Sequence, residues 1–119
     1  MKKFKIASIA TVAIVLSLSL SALTASAASI EASRNGASNF EKAWKAELST
    51  ADKKGKMQYG FNKFAIDEDF TWTIHDSNGH TAIVTRGSSN SSSSSGSAGS
   101  WAKVEVTHNN VSVKYTMNY

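Results

Sequence analysis

Two histidines raise the first question of chemistry in this sequence, because imidazole is a common ligand of zinc. His75 and His80 flank the segment Asp76–Gly79. If that segment is the turn of a hairpin, the two rings stand opposite each other, close enough to share an ion. Zinc sites in proteins have three or four protein ligands, however, and two histidines do not make one. We therefore predict no metal site and no cofactor.

Catalysis has little support in the sequence. Serine, histidine and aspartate all occur, but no serine lies in a nucleophile elbow, the Gly-x-Ser-x-Gly turn that exposes a catalytic hydroxyl. The acidic run Asp67–Asp69 lacks the spacing and the glycine of a calcium-binding loop. We therefore expect that the protein is not an enzyme.

The first 27 residues have the pattern of a cleaved signal peptide. Three lysines (Lys2, Lys3, Lys5) precede the apolar stretch Ile6–Leu20, and Ala25–Ala27 is a small-residue cleavage site. The apolar stretch is shorter than the roughly 20 residues of a membrane-spanning helix. The pattern therefore predicts a secreted, extracellular protein whose mature chain starts at residue 28.

Removal of the signal peptide lowers the net positive charge of the chain. The whole chain has 13 basic and 9 acidic residues, and three of the lysines leave with the signal peptide, so ten basic residues face the same nine acidic ones. No basic stripe with interleaved aromatic residues remains. Neither nucleic acid nor stable insertion into a membrane is therefore expected.

The mature chain suits a single small domain. It has no cysteine and no proline, so strand pairing and aromatic packing must stabilise a core of limited depth. Association of two copies would be a further source of stability.

Residues 28–54 are predicted to be an extension that contains one helix. Ala28–Ser38 shows no periodicity and is expected to be disordered. A capping box and an apolar stripe with a period of four predict a short amphipathic helix over Asn39–Ser49. The residues concerned are Ser38 and Glu41, and Phe40, Trp44 and Leu48. We expect this helix to cover the open face of a small sheet, with contact to a membrane or a partner as the alternative.

From Met57 onward the apolar period changes to two, which predicts strands. Phe70, Trp72 and Ile74 alternate with polar residues, and Asn78–Gly79 predicts a hairpin before the next strand. At least five strands in this stretch predict an all-β fold, a small antiparallel β-sandwich over residues 55–119. The serine-rich segment 87–100 would be a mobile crossover within it.

The last two predicted strands allow a prediction of register. With Asn109–Asn110 as the turn, Trp101–Thr107 pairs with Val111–Asn118, so that apolar residues meet on one side and opposite charges meet on the other. Trp101 then lies on the polar side, at the mouth of the serine-rich segment. There it is either covered by a loop or the helix, or exposed for binding.

A set of short motifs is spread over Gly55–Tyr119. It consists of GKMQYGF, FTWTIHDSNG, HTAIV, AGSWAKVEV and the tail VKYTMNY, with the serine-rich loop between the third and the fourth. Together they resemble the lactococcin 972 family of secreted bacteriocins, in which a His-Ser/Thr-Ala-x-Val strand precedes Ala-Gly-x-Trp-Ala-Lys by a similar distance. Met57 stands where that family usually has tryptophan.

The resemblance implies both a fold and a function. The fold is a β-sandwich of two small antiparallel sheets without disulfides. The function is antibacterial: binding of the peptidoglycan precursor lipid II on related Gram-positive cells, which blocks septum formation without catalysis. The matching positions that become candidate ligand-binding residues are His75, His80, Trp101 and Lys103.

A second hypothesis of another class stays open. The chain would then be a secreted structural or surface-binding β-module without antibacterial activity, in which edge strands drive self-association. A growth-inhibition test separates the two.

Overall fold

A computed structural model describes residues 28–119, and eight β-strands account for most of these described residues. The strands are β1 (Ser29–Asn35), β2 (Trp44–Ser49), β3 (Gly55–Asn62), β4 (Glu68–His75), β5 (His80–Arg86), β6 (Asn90–Gly96), β7 (Ala102–Thr107) and β8 (Ser112–Asn118). A short 3₁₀ helix, Ala37–Phe40, precedes β2. The predicted signal peptide lies outside the described residues. Within them, no helix is long and apolar enough to cross a membrane.

The strands form two four-stranded antiparallel sheets that enclose one core. The first sheet has the order β1-β8-β5-β6, and the second has the order β2-β3-β4-β7. Side chains from both sheets meet in a single buried cluster, among them Met57, Phe61, Val84 and Tyr115. Full burial of one such side chain stabilises a fold by about 1.5–3 kcal/mol. The prediction of an all-β fold with two antiparallel sheets is confirmed.

The aromatic centre of the core lies where β8 crosses over β2 and β3. The ring of Tyr115 contacts those of Tyr59 and Trp44, with centroid separations of 5.1 and 5.8 Å. Arg34 of β1 places its guanidinium over the Trp44 ring at 4.8 Å. Residues before position 55 therefore contribute directly to the core.

The predicted helix over Asn39–Ser49 is wrong, and so is the disorder expected before it. β1 pairs with β8 along its whole length, and β2 pairs with β3. In β2 the apolar residues Trp44, Ala46 and Leu48 point inward at every second position, while Lys45, Glu47 and Ser49 are exposed. A spacing of four is an even number and fits a strand as well as a helix. Residues 28–54 thus supply one strand to each sheet instead of preceding the domain.

The predicted final hairpin is also wrong, because its two strands belong to different sheets. β7 pairs with β4, where Val104 lies opposite Thr71. β8 lies between β1 and β5, where Tyr115 lies opposite Ala32 and Val84. Residues 108–111 lead from one sheet to the other. Each of the two strands has one apolar face. Apolar residues of two such strands come together either when the strands are hydrogen-bonded side by side or when they pack face to face across a core, so the sequence pattern does not distinguish the two arrangements.

The serine-rich segment forms a strand instead of an irregular crossover. β6 pairs with β5 in a fixed register, in which Ser91 lies opposite Thr85 and Ser95 opposite Thr81. Hydroxyl groups form hydrogen bonds in both pairs, at 2.8 and 3.0 Å. Only the residues after Gly96 make the passage to the second sheet. The segment therefore forms the edge of the first sheet.

Candidate ligand-binding face

Strand β4 presents its apolar side chains to the outside of the sandwich. Its inward residues are polar and fully buried: Asp69, Thr71, Thr73 and His75. Its outward residues include Phe70, Trp72 and Ile74. Phe70 is buried there without belonging to the core cluster, and Trp72 and Ile74 are half-buried. A strand with one solvent face normally directs its apolar residues to the core. This inversion places an aromatic stripe on the outer side of the second sheet.

Hydrogen bonds to the first sheet satisfy two of the four polar inner side chains of β4. The Thr71 hydroxyl donates to the carbonyl oxygen of Ile83 at 3.0 Å. The Thr73 hydroxyl lies 2.7 Å from Nδ1 of His80. Buried polar groups are tolerated when they are paired in this way, so these bonds join the two sheets where apolar contacts would otherwise do so.

Trp72 is held in one orientation at the centre of the outer face. Its Nε1–H donates to Glu105 at 2.9 Å, and the Lys103 ammonium lies 4.3 Å from its ring centroid. The Phe70 ring lies 5.5 Å away. Phe70 in turn covers Gly60, where a Cβ would come within 3.1 Å of the Phe70 ring and 2.2 Å of the Trp44 carbonyl oxygen. Glycine at this position lets the ring lie flat on the strand.

Trp101 extends this face toward the opposite end of the sheet. It precedes β7, it is 39% exposed, and the Lys56 ammonium lies 5.9 Å from its ring centroid. We call the outward surface formed by Phe70, Trp72, Ile74, Trp101, Lys56 and Lys103 the aromatic face. Two of the four residues predicted from the sequence, Trp101 and Lys103, thus lie on one surface. Trp72 joins them, and only its place in an alternating strand marked it in the sequence.

An open groove borders the aromatic face near β2. It has a volume of about 410 Å³, and Ala43, Trp44, Lys45, Phe61, Asn62, Phe70 and Trp72 line it. That volume lies in the range of about 300–1,000 Å³ found for small-molecule sites. Its lining combines aromatic rings with an ammonium and an amide group, which can bind a ligand with both apolar and polar parts.

The structure places His75 inside the sandwich, away from the aromatic face. Its Nδ1 accepts hydrogen bonds from the backbone N–H groups of Ser77 and Asn78, at 3.2 and 3.0 Å. Its Nε2 must therefore carry the proton, and it donates to Asp52 at 2.9 Å. The ring also stacks on Tyr119. Both ring nitrogens are thus engaged in holding two loops.

The loop that contains Asp52, the partner of His75, lowers the pKa of its carboxyl group. The hydroxyl of Thr50 donates to its carboxylate, as does the backbone N–H of Lys54. These two hydrogen bonds, with a smaller contribution from His75, lower the pKa of Asp52 to about 2. The carboxylate is therefore charged at neutral pH and available as an acceptor for His75.

His80 is buried as well and lies in the other sheet. Its Nε2 faces the carbonyl oxygens of Ser97 and Ser100, at 3.2 and 2.8 Å, so it carries the proton. Its Nδ1 accepts from the Thr73 hydroxyl. The predicted hairpin between the histidines does not form, because β4 and β5 belong to different sheets. We therefore assign His75 and His80 to the positioning of loops.

His108 was not singled out by sequence reasoning, yet it contacts a buried carboxylate. Its Nδ1–H donates to Asp69, with distances of 2.8 and 3.0 Å to the two oxygens. The imidazole also packs against Phe40, with ring centroids 4.2 Å apart. Burial raises the pKa of Asp69, and the hydrogen bond from His108 opposes that rise. Since the two residues lie far apart in the sequence, no local pattern connects them.

The three histidines do not assemble a metal site. Within residues 28–119, no three histidine, cysteine, aspartate or glutamate side chains come together in a group that could hold a metal ion. Each histidine is instead paired with groups of its own neighbourhood.

Comparison of the chain with models of known protein families, with curated proteins and with solved structures gives no match. Any functional assignment has to be argued from the aromatic face and the sequence motifs.

Proposed function

We propose that the protein is a secreted antibacterial protein that binds the cell-wall precursor lipid II on related Gram-positive bacteria and blocks septum formation. The observation that carries this proposal is the aromatic face, where Trp72 and Trp101 lie together with Lys56 and Lys103 on one side of a sheet. The motif resemblance to the lactococcin 972 family supports the same function and the secretion that it requires.

The chemistry of the aromatic face suits a sugar that carries phosphate. The exposed Trp101 ring and the half-buried Trp72 ring offer apolar area against the C–H face of a sugar ring. An ammonium group is a compact charge that binds phosphate oxygens. Trp72 needs no reordering on binding, because Glu105 and Lys103 already fix its ring. Preorganisation of this kind lowers the entropic cost of binding.

Growth inhibition of related Gram-positive strains by the purified mature protein tests the proposal. Lys103→Ala should weaken inhibition about tenfold, because a charge-assisted hydrogen bond to a ligand contributes about 1.5–3 kcal/mol. Lys114→Ala is the matched control, since Lys114 is an exposed lysine on the outer side of the first sheet. Lys114→Ala should inhibit growth as strongly as the wild type does.

Excess lipid II distinguishes the target from the activity. Added lipid II should protect the cells by occupying the aromatic face. If inhibition persists unchanged, lipid II is not the ligand. If no strain is inhibited, the antibacterial function itself is refuted.

The alternative function, a structural or surface-binding β-module, is favoured by one feature of strand β6. It is a sheet edge without a single charged residue, whereas the other three edge strands carry charges, which are the usual protection against edge-to-edge pairing. Those charges are Glu31 and Arg34 in β1, Lys45 and Glu47 in β2, and Lys103 and Glu105 in β7.

Analytical ultracentrifugation tests this alternative. Self-association through β6 would appear as a mass that increases with concentration, and Ser93→Lys would abolish the increase. Ser33→Lys, an equivalent change on the β1 edge, should leave it intact. A monomer at all concentrations excludes the alternative.

A further inference from the structure

Three exposed hydrophobic side chains lie in two loops at one end of the sandwich. Phe64 is 98% and Ile66 is 51% exposed in the loop between β3 and β4, and Val111 is 49% exposed in the loop between β7 and β8. The fourth exposed large hydrophobic residue of the described chain, Trp101, lies at the opposite end of β7. We call Phe64, Ile66 and Val111 the apolar tip.

The loops that form the apolar tip are adjacent and anchored. Glu68 pairs with Thr107 at the end of the β4–β7 ladder. One residue further on, the His108 N–H donates to the carbonyl oxygen of Asp67 at 2.8 Å. The Lys63 ammonium lies 3.3 Å from the Asp67 carboxylate and closes the base of the first loop. The first loop therefore begins and ends on the second sheet, and the second loop leads from the same end to the first sheet, where the Val111 carbonyl oxygen accepts from the Gly36 N–H at 2.8 Å.

We propose that the apolar tip inserts into the interfacial region of a lipid bilayer and makes a reversible contact there. Single exposed hydrophobic residues are common on protein surfaces. A fully exposed phenylalanine, an exposed isoleucine two residues along the same loop and an exposed valine in the next loop at that end form a local concentration. A bilayer interface accepts an apolar side chain that is exposed on a loop without needing a complementary shape.

The size of the tip argues against a protein as its partner. Three side chains of this kind offer on the order of a few hundred Å² of apolar surface. A stable protein–protein interface needs about 800 Å² on each partner. A shallow membrane contact needs no such area, since each buried apolar side chain adds its own share of the affinity.

The charges near the tip indicate that this contact is hydrophobic in nature. Lys63 and Asp67 neutralise each other, and Glu68 follows directly. Arg86, whose guanidinium donates to the Thr107 carbonyl oxygen, is matched in number by Glu68, which pairs with Thr107, so these four described side chains have no net positive charge to attract anionic lipids. Binding should therefore occur on vesicles of phosphatidylcholine alone and should be insensitive to salt.

The contact would also orient the aromatic face, a consequence that rests on the proposed function. β4 leads away from the tip, and Trp72 is four residues beyond its first residue, which corresponds to roughly 13 Å along the strand. At that height the aromatic face would meet the head group of a precursor that is anchored in the same membrane. The membrane contact itself does not depend on this ligand.

Co-sedimentation with phosphatidylcholine vesicles that contain no lipid II tests the proposal. Phe64→Ser should reduce the partition coefficient about tenfold, and Phe64→Leu should stay within about threefold of the wild type. Ile83→Ser, which removes a half-buried isoleucine from the outer side of the first sheet, is the matched control and should bind as the wild type does. The proposal would be overturned if Phe64→Ser bound vesicles as well as the wild type does. A decrease of about tenfold or more in wild-type binding in 0.5 M salt would overturn it too.

A tryptophan at the tip provides a direct readout. Phe64→Trp should gain fluorescence intensity at shorter wavelength when vesicles are added, and lipids with brominated acyl chains should quench that gain. A spectrum that vesicles do not change refutes the insertion. Vesicle binding without growth inhibition would refute the proposed function alone, whereas lipid II-dependent inhibition without vesicle binding would refute the tip alone.

Discussion

His75→Ala is expected to lower the free energy of unfolding by about 3 kcal/mol. The substitution removes three hydrogen bonds, each with a net contribution of about 0.5–1.5 kcal/mol, and leaves a cavity where a fully buried ring stood. Two of those bonds hold the loop after β4, and the third ties it to the loop of Asp52. Chemical denaturation followed by tryptophan fluorescence measures the change.

Asp76→Asn is the control for this experiment. Asp76 is the next residue along the chain, and its side chain is exposed, so the substitution should change stability by less than about 0.5 kcal/mol. A His75→Ala protein that keeps its stability but no longer binds its ligand would show instead that the histidine belongs to a binding site.

The prediction of fold class succeeded because alternation along each strand is a local property. Phe70, Trp72 and Ile74 alternate with polar residues whatever lies beside them, and strands follow from that pattern. The partner of a strand is not local. β7 and β8 are adjacent in the sequence, and each has one apolar face. Packing of these two faces against each other across the core fits that pattern as well as a hairpin would.

The side of the sheet on which β4 exposes its aromatic residues was not predictable from its own sequence. The polar face of β4 could be buried because β5 supplies a carbonyl oxygen and His80 to pair with Thr71 and Thr73, while His108 and Asp52 pair with Asp69 and His75. The partners on β5 lie across the sandwich, and only the tertiary structure reveals them. Sequence reasoning found Trp101 and Lys103 of the aromatic face but could not place Trp72 beside them.

The role of His75 and His80 also depends on tertiary contacts that the local sequence does not show. His75 and His80 became candidates because they lie in the motifs on which the family resemblance rests. Each also has one hydrogen bond to a residue 20 or more positions away, His75 to Asp52 and His80 to Ser100. A buried histidine with both nitrogens engaged is a structural element, and no feature of its neighbours in the sequence distinguishes it from a ligand-binding one.

His108→Phe should be the most damaging single substitution of an exposed or half-buried residue, with a loss of about 3–5 kcal/mol at neutral pH. The phenyl ring can keep the contact with Phe40, but Asp69 loses the N–H that donates to its carboxylate. Removal of one member of a buried pair leaves an uncompensated charge, and a loss of this size is typical of that change.

The pH dependence of this loss identifies its cause. Burial already raises the pKa of Asp69 above the value of 3.8 for an exposed aspartate, and the hydrogen bond from His108 limits that rise. An acid whose pKa is higher in the folded state destabilises the fold when it ionises, so its cost is absent below pH 3.8 and grows as the pH increases. Without His108 the folded pKa rises further, and the additional cost exists only above pH 3.8.

Denaturation of wild type and His108→Phe at pH 7 and at pH 3.5 should therefore give a large difference at the first pH and a small one at the second. The double variant Asp69→Asn/His108→Phe supplies the control, because it removes the charge. Its stability at pH 7 should exceed that of His108→Phe alone, although the amide remains a buried polar group. If His108→Phe lowers the free energy of unfolding equally at both pH values, lost packing accounts for the effect. The hydrogen bond from His108 to Asp69 would then not be the source of the stabilisation.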